Sequence, residues 1–404
     1  MIPPLVSFLI ALTVIMVLAK WELSVSMIIG AITLALLTEV NLNESILTTI
    51  LDPTTLLIAL SVALIPILGG VMQESGMMME FIDNLNAPKR VSLIVAPAIF
   101  SLLPIPGGAL MSAPLVNQID PSLDKNFKVA INVWYRHALI IVYPISSAMI
   151  AVSEIANIPL YVAAATLIIP CIIMIVMGYL VLIRKVEKGK RNNAFNLKIV
   201  LRNFIPIILT VIIDSIGRFV ISPLLNIENP EIFLIIGLIL SIALAIILSG
   251  TELKTVGSAI KKMGIWKYPL LIFSMFLFLE IFQNSGIPEL IGSANLSFIM
   301  FIFVSFFLGF ATGRVSLPSL IIIPTFLSQF GLSVMPLLAF SLIYFSTFLG
   351  YVNTLLHPCY SYSLKFFDTT YKSTIKYLLI PSALCFIIIL AVAIPYDLFY
   401  VSFL

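Results

Sequence analysis

The sequence predicts an all-α polytopic membrane protein of two inverted repeats, each of about five transmembrane helices plus one re-entrant hairpin. Three observations predict it: an apolar composition, basic residues confined to one side, and an internal repeat. Hydrophobic residues fill 61% of 404 positions and charged residues only 10%, against about 25% charged in a soluble domain. So few charges cannot cover a water-facing surface, and most of the exterior must face lipid. The net charge of +3 is small and scattered, which argues against a nucleic-acid partner. Cys171, Cys359 and Cys385 show neither metal spacing nor a disulfide pattern and read as packing residues.

A bilayer core of about 30 Å needs roughly 20 apolar residues per helix. The spans expected on that basis are 3–19, 23–40, 53–72, 129–153, 158–183, 203–225, 230–248, 266–282, 334–360 and 374–396. Residues 2–19 have no basic leader and no clear cleavage site, so they are read as a span and not as a signal peptide. Two further apolar stretches, 91–117 and 295–327, are broken at their middles. The first carries Leu103, Pro104, Ile105, Pro106, Gly107, Gly108 and Ala109; the second runs from Ala311 through Thr312, Gly313, Arg314, Val315, Ser316 and Leu317 to Pro318. A continuous helix disfavours these residues. Both stretches are therefore expected to enter and leave on the same side, buried in protein or lining a wet cavity.

Charge placement supports this topology. With the N-terminus outside and both stretches as hairpins, 19 of 22 basic residues face the cytoplasm, from Lys20 and Lys89 through the 184–202 run to Lys376. The outer loops carry Glu39, Glu44, Asp52, Glu154, Glu228, Glu231, Glu289 and Asp397 instead. Such a bias sets orientation. The expectation is a multi-pass protein of the cell membrane with both termini outside.

The repeat lies at an offset of 210: Gln73, Glu74, Ser75 and Gly76 correspond to Gln283, Asn284, Ser285 and Gly286, and Pro114 corresponds to Pro324. Three spans, a broken hairpin and two spans occur twice. Five spans per half is odd, so the halves must be inverted. The first repeat is assigned to 1–183, a basic cytoplasmic linker to 184–202, and the second repeat to 203–404. Interrupted segments at corresponding places of inverted repeats point to a transporter binding site.

This arrangement resembles the ion transporter superfamily, which includes divalent anion:sodium symporters, citrate and gluconate carriers and several sodium/proton antiporters. The run from Leu103 to Pro114 resembles the first hairpin of an uncharacterised prokaryotic branch of that superfamily. Tyr135, Arg136 and His137 followed by Tyr143 and Pro144 look like its broken helix. Gly350 and Tyr351, with His357, Pro358 and Cys359, look like the second-half counterpart. The resemblance implies two inverted repeats with re-entrant hairpins and helices unwound at mid-membrane. The symporters' Ser-Asn-Thr hairpin signature is replaced here by Pro-Gly-Gly and Thr-Gly-Arg. That departure speaks against a dicarboxylate substrate.

The candidate site residues are Pro106, Gly107, Gly108, Ser112, Arg136, His137, Thr312, Gly313, Arg314, Ser316, Asn353, Thr354 and His357. Gly107 and Gly108 allow a sharp turn and close approach of a ligand. The returning limb begins just after them, so its N-terminal N–H groups favour an anion, while unwound carbonyls favour a cation. A coupling sodium is expected near Gly107, Gly108, Thr312 and Gly313; the other option is a proton. Arg136, Arg218 and Arg314 are the basic residues placed within the membrane, each costing roughly 2.5–3.5 kcal/mol at mid-depth unless paired or hydrated. Arg314 either forks onto a carboxylate or phosphate of the substrate or caps a carbonyl of the opposite limb. Arg218 follows Asp214 by four residues, and the two are expected to pair along one helix face. His137 either carries a proton or packs with a hydrogen bond. His357 precedes Pro358, whose missing N–H frees a carbonyl upstream.

The function expected is secondary active transport, an ion-coupled symport of a small anionic solute by alternating access. Cation/proton antiport is the alternative, and a channel or an intramembrane enzyme are alternatives of other classes. No Gly-x-x-x-x-Gly-Lys-Ser/Thr loop and no His-Glu-x-x-His are present, so neither ATP coupling nor a zinc protease is indicated. No cofactor is expected. The expected partners are a small-molecule or ion substrate and the bilayer, with a homodimer left open.

Overall fold

The computed structural model describes residues 3–18, 22–84, 87–102, 108–189, 196–293 and 295–399. Every described element is helical. In chain order they are α1 (Pro4–Leu18), α2 (Leu23–Thr38), α3 (Leu42–Leu51), α4 (Pro53–Glu74), α5 (Met77–Asp83), α6 (Lys89–Ser101), α7 (Gly108–Ile119), α8 (Lys125–Ala138), α9 (Ser147–Ile155), α10 (Leu160–Thr166) and α11 (Ile168–Val181). There follow α12 (Leu197–Ile216), α13 (Ser222–Leu225), α14 (Glu231–Ser249), α15 (Leu253–Met263), α16 (Lys267–Asn284), α17 (Ile287–Gly292), α18 (Phe298–Thr312), α19 (Ser316–Gln329), α20 (Leu337–Asn353), α21 (Pro358–Phe367) and α22 (Tyr371–Phe399).

Local chemistry sets many of the starts. The Asp52 carboxylate accepts from the Thr55 N–H at 2.7 Å, and Pro53 fills the first turn of α4, where its missing N–H is harmless. Asp124 caps α8 by accepting from Asn126 and Phe127, and Ser297 caps α18 by accepting from Met300. Gly313 ends α18 at φ 62°, the left-handed conformation that closes a helix.

Six helical segments are long and apolar enough to cross a membrane, and the bent pair Lys125–Val142 and Ser147–Ile155 adds a seventh. These seven coincide with seven of the ten expected spans. The other three are shorter or more polar: α1 and α2 have 15 and 16 residues, and α16 carries Lys267 and Glu280 within its 18. The span 129–153, in which Tyr143 and Pro144 resemble a broken helix, breaks between Ala138 and Ser147 and bends by 46°. The span 334–360 likewise stops at Asn353 and restarts at Pro358. Pro144 and Pro358 lie at these breaks, where a ring that fixes φ and lacks an N–H interrupts the backbone ladder. The amphipathic α3 and α15 fall between spans.

Element order recurs through the chain. The first residues of α5, α6, α7, α8, α9 and α10 reappear 208 to 212 positions later as those of α17, α18, α19, α20, α21 and α22. The contacts recur with the halves exchanged. Helix α2 packs on α16 as α14 packs on α4, α3 on α16 as α15 on α4, and α9 on α19 as α21 on α7.

Two bundles result, each drawn from both halves. One contains α1–α4, α12 and α14–α16; the other contains α6–α11 and α18–α22. In the second bundle α18 and α20 approach backbone to backbone. A Cβ on Gly309 would stand 2.1 Å from the Thr347 carbonyl oxygen, and one on Gly350 would stand 2.1 Å from that of Phe306. Only glycine permits this approach, and it holds the turn after α18 against the break after α20.

Candidate functional site

The two broken helices bring polar groups together inside the second bundle. His137, on the last turn of α8, and His357, just before α21, are both buried, with exposures of 2% and 1%. Their Nε2 atoms stand 3.2 Å apart. The Nδ1 of His137 stands 2.5 Å from the Val133 carbonyl oxygen one turn back. That oxygen only accepts, so His137 donates from Nδ1 and its Nε2 is a lone pair. His357 then donates from Nε2, and its Nδ1 remains a buried lone pair without a hydrogen-bond partner among the described residues. The Tyr351 ring covers His357 at a centroid distance of 4.1 Å and meets His137 edge-on at 5.4 Å.

Two arginines flank this cluster. Arg136 is 5% exposed, and its Nη1 is buried with no hydrogen-bond partner among the described residues. Arg314 follows the turn after α18, and no hydrogen bond or ion pair reaches its guanidinium among the described residues. Both arginines lie within electrostatic reach of Tyr351 and His357. Glu22 and Tyr268 also act on Arg314 from a distance.

Arg314 opens into a cavity of about 170 Å³ between the two bundles. Its wall includes Ser146, Ser147, Arg314, Ser316 and Tyr351, with Leu271 and Met275 of α16 opposite. Ser147 is the first residue of α9 and Ser316 the first of α19, so two helix N-termini converge here. Among the described residues no side chain caps α19, which leaves its first N–H groups free of a side-chain acceptor there. Unpaired N–H groups, the positive ends of two helix dipoles and a guanidinium make an environment suited to negative charge.

Of the sequence-derived candidates, Arg136, His137, Arg314, Ser316 and His357 come together around Tyr351 and this cavity. Asn353 and Thr354 end α20 and are buried. The Asn353 amide donates to the Ser382 hydroxyl at 2.7 Å and its Oδ1 has no partner among the described residues. Thr312 and Gly313 form the turn itself. The Thr312 hydroxyl donates to the Leu308 carbonyl at 2.7 Å, and a Cβ on Gly313 would meet Leu356 at 2.7 Å. Gly108 is the first residue of α7 and Ser112 is buried on it. Pro106 and Gly107 lie outside the described residues. Ser146, Ser147 and Tyr351 escaped the sequence candidates. A hydroxyl pair two residues past Pro144 is a recognisable helix start, and it was the available signal for the first two.

The third intramembrane arginine is paired, as its spacing predicts. Arg218 donates from Nε to Asp214 Oδ1 at 3.0 Å and from Nη1 to Glu231 Oε1 at 2.9 Å. The Tyr161 hydroxyl donates to Asp214 Oδ2 at 2.8 Å. A cavity of about 510 Å³ adjoins this network, lined by Arg218, Glu231, Glu154 and Tyr161 among others. It is the larger of the two, but its guanidinium is already neutralised, so it has no spare positive charge for a solute.

A family model described as "Protein of unknown function (DUF401)" matches residues 4–396. No curated protein matches the sequence. Among solved structures, the Alcanivorax borkumensis YdaH transporter, described as having an unusual topology, is similar at a TM-score of 0.61. The identity is 14%, with 86% of each chain covered. At that identity the likeness establishes the fold: this chain has the architecture of a polytopic membrane transporter.

Proposed function

We infer that this chain, which belongs to the DUF401 family, is a secondary transporter that carries a small anionic solute through the cavity at Arg314. The observation that carries this reading is the unpaired Arg314 guanidinium in a cavity onto which the starts of α9 and α19 converge. An intramembrane charge without a counter-ion marks a functional site with a missing partner, and here that partner is an anion. The shared fold with a protein described as a transporter supports the same reading.

The cavity lies between two bundles that both draw on both halves, which suits alternating access by movement of one bundle against the other. We propose that the halves, 1–183 and 203–404, are inverted repeats joined by the basic 184–202 linker. The pairs α6–α7 and α18–α19 are then re-entrant hairpins. Their limbs have 12 to 15 residues, about 18–22 Å at 1.5 Å per residue, short of a 30 Å hydrocarbon core. With the basic loops in the cytoplasm, α2 and α16 begin on the inner side, and Glu22 and Tyr268 sit at those beginnings. The Arg314 cavity therefore faces inward in this state. Coupling is to sodium or protons. The embedded carboxylate an antiporter would titrate, Asp214, is held by Arg218 and Tyr161, which favours symport.

The test is a thermal-shift screen of the purified protein against small anions with sodium, potassium or varied pH, followed by uptake into proteoliposomes. A true ligand raises the melting temperature in proportion to its occupancy. Stabilisation and uptake confined to cations would replace this reading with antiport. Topology is tested separately, in a background free of native cysteines. A cysteine at position 229 should be labelled from outside and one at position 188 should not; the opposite pattern rejects the inverted arrangement.

A further inference from the structure

We propose that His137, His357 and Cys359 form a site for a soft monovalent metal cation of the Cu(I) type, bridging the two halves of the chain. The three residues lie far apart in sequence, and one potential ligand atom from each falls within 4.8 Å of the other two. The two imidazole Nε2 atoms, 3.2 Å apart, already stand at about the separation of two nitrogens bound at roughly 2.0–2.1 Å to one metal ion. Cys359 lies on the first turn of α21, two residues past His357, and is partly buried, so a change of side-chain rotamer brings its sulfur in.

The hydrogen bonding of the pair argues for a cation. Two neutral imidazoles carry four nitrogens and two protons. One proton goes to the Val133 carbonyl and one lies between the rings, so one buried nitrogen stays bare. That nitrogen is His357 Nδ1, which has no partner among the described residues. Binding through both Nε2 atoms would move the His357 proton to Nδ1 and free its Nε2 lone pair, so the ring-to-ring hydrogen bond is exchanged for two metal–nitrogen bonds. The bond from His137 to the Val133 carbonyl is the kind of outer contact that fixes a metal-binding histidine in its tautomer and ring orientation.

Electrostatics chooses the ion. Arg136 and Arg314 both act on His357, so extra positive charge is unwelcome. Binding converts the Cys359 thiol to a thiolate and releases its proton to solvent. A monovalent cation in and one proton out leaves the charge of the site unchanged, whereas Zn(II) adds one unit beside two guanidiniums. One thiolate and two imidazoles form a donor set that soft Cu(I) accepts. His137 ends α8 and the other two ligands open α21, so the bound ion would tie the first half of the chain to the second at both helix breaks.

The test is an anaerobic titration of the purified full-length protein with Cu(I) in competition with a chromophoric Cu(I) chelator. One Cu(I) per chain is expected, with copper X-ray absorption showing one sulfur and two nitrogen neighbours. Cys359→Ser and His357→Gln should each weaken binding by about 100-fold while eluting as folded protein. The Cys171→Ser/Cys385→Ser variant should bind as wild type, and Zn(II) should displace Cu(I) poorly. Arg314→Gln should retain the copper, which separates failure of this site from failure of the anion reading. Absence of stoichiometric copper, or equal binding by Cys359→Ser, overturns the proposal and leaves the pair as an internal hydrogen bond.

Discussion

Arg218 and Arg314 are both arginines at membrane depth, yet their surroundings are opposite. Arg218 is held by two acceptors, Asp214 on its own helix face and Glu231 at the start of α14, and the Tyr161 hydroxyl donates to Asp214. Arg314 follows a turn, faces a cavity and meets no acceptor among the described residues. A paired charge inside a membrane protein is part of the scaffold, because its desolvation is offset where it sits. An unpaired one beside a cavity is where the proposed anion would supply the missing partner. Under the proposed function, pairing is what separates a structural charge from one that awaits a ligand.

The largest effect expected from this contrast is at the paired site. Replacing Arg218 by Ala strands Asp214, which is fully buried, and breaking a buried ion pair in this way costs about 3–5 kcal/mol. Thermal unfolding in detergent should show a large loss of stability whether or not an anion is present. A melting temperature within error of wild type would mean that the network is hydrated and that the contrast with Arg314 is unfounded.

Next in size is the loss of binding at Arg314. Arg314→Gln removes a charge-assisted contact worth about 1.5–3 kcal/mol, so anion affinity should fall by roughly 10- to 150-fold. Without anion, its melting temperature should equal or exceed that of wild type, because an unpaired charge has been removed. Arg314→Lys should fall between the two, keeping charge but losing the planar fork. Full anion stabilisation in the Gln variant would make Arg314 a scaffold residue like Arg218.

The smallest effect belongs to a charge pair outside the membrane spans, at the mouth of the first helical hairpin. Lys89 at the start of α6 meets Asp120 just after α7 at 3.0 Å. Burial pushes the Asp120 carboxyl up, but the Ser122 hydroxyl and Lys89 outweigh it and hold the carboxyl below its usual range. A depressed carboxyl contributes stability above its unfolded value near pH 3.9 and loses it as pH falls through the folded value. Lys89→Met should therefore lower stability by under about 1 kcal/mol at pH 7. Its disadvantage relative to wild type should shrink only below about pH 4. A difference that instead varies between pH 6 and 8 would place another group in control of this contact.

Much of the architecture was legible without coordinates because a bilayer imposes length and polarity on every element. The stretch 374–396 could hardly be anything but a span, and α22 covers it. The Asp214 and Arg218 spacing was equally readable, since residues four apart on a helix must be neighbours. The break in α8–α9 was harder. Residues 129–153 are apolar throughout most of their length, and hydropathy has no term for a bend, so only Pro144 and the family resemblance pointed to it.

The candidate site divides in the same way. Arg136, His137, Arg314, Ser316 and His357 were singled out as costly or hydrogen-bonding residues beside backbone breaks, which local chemistry alone can identify. Their meeting was not legible: His137 and His357 are 220 positions apart and touch through Nε2, and no periodicity encodes that. Nor did the sequence assign Tyr351, Ser146 and Ser147 their places in the cavity wall. By itself the sequence determined that the chain is an all-helical membrane protein with repeating element order, because those properties follow from composition and from short-range geometry. The tertiary structure alone decided which of the three arginines is neutralised and which faces an open cavity. The partner of a buried charge is set by how helices distant in sequence pack, and that packing depends on contacts such as Gly309 on Thr347 and Gly350 on Phe306, which no local pattern announces.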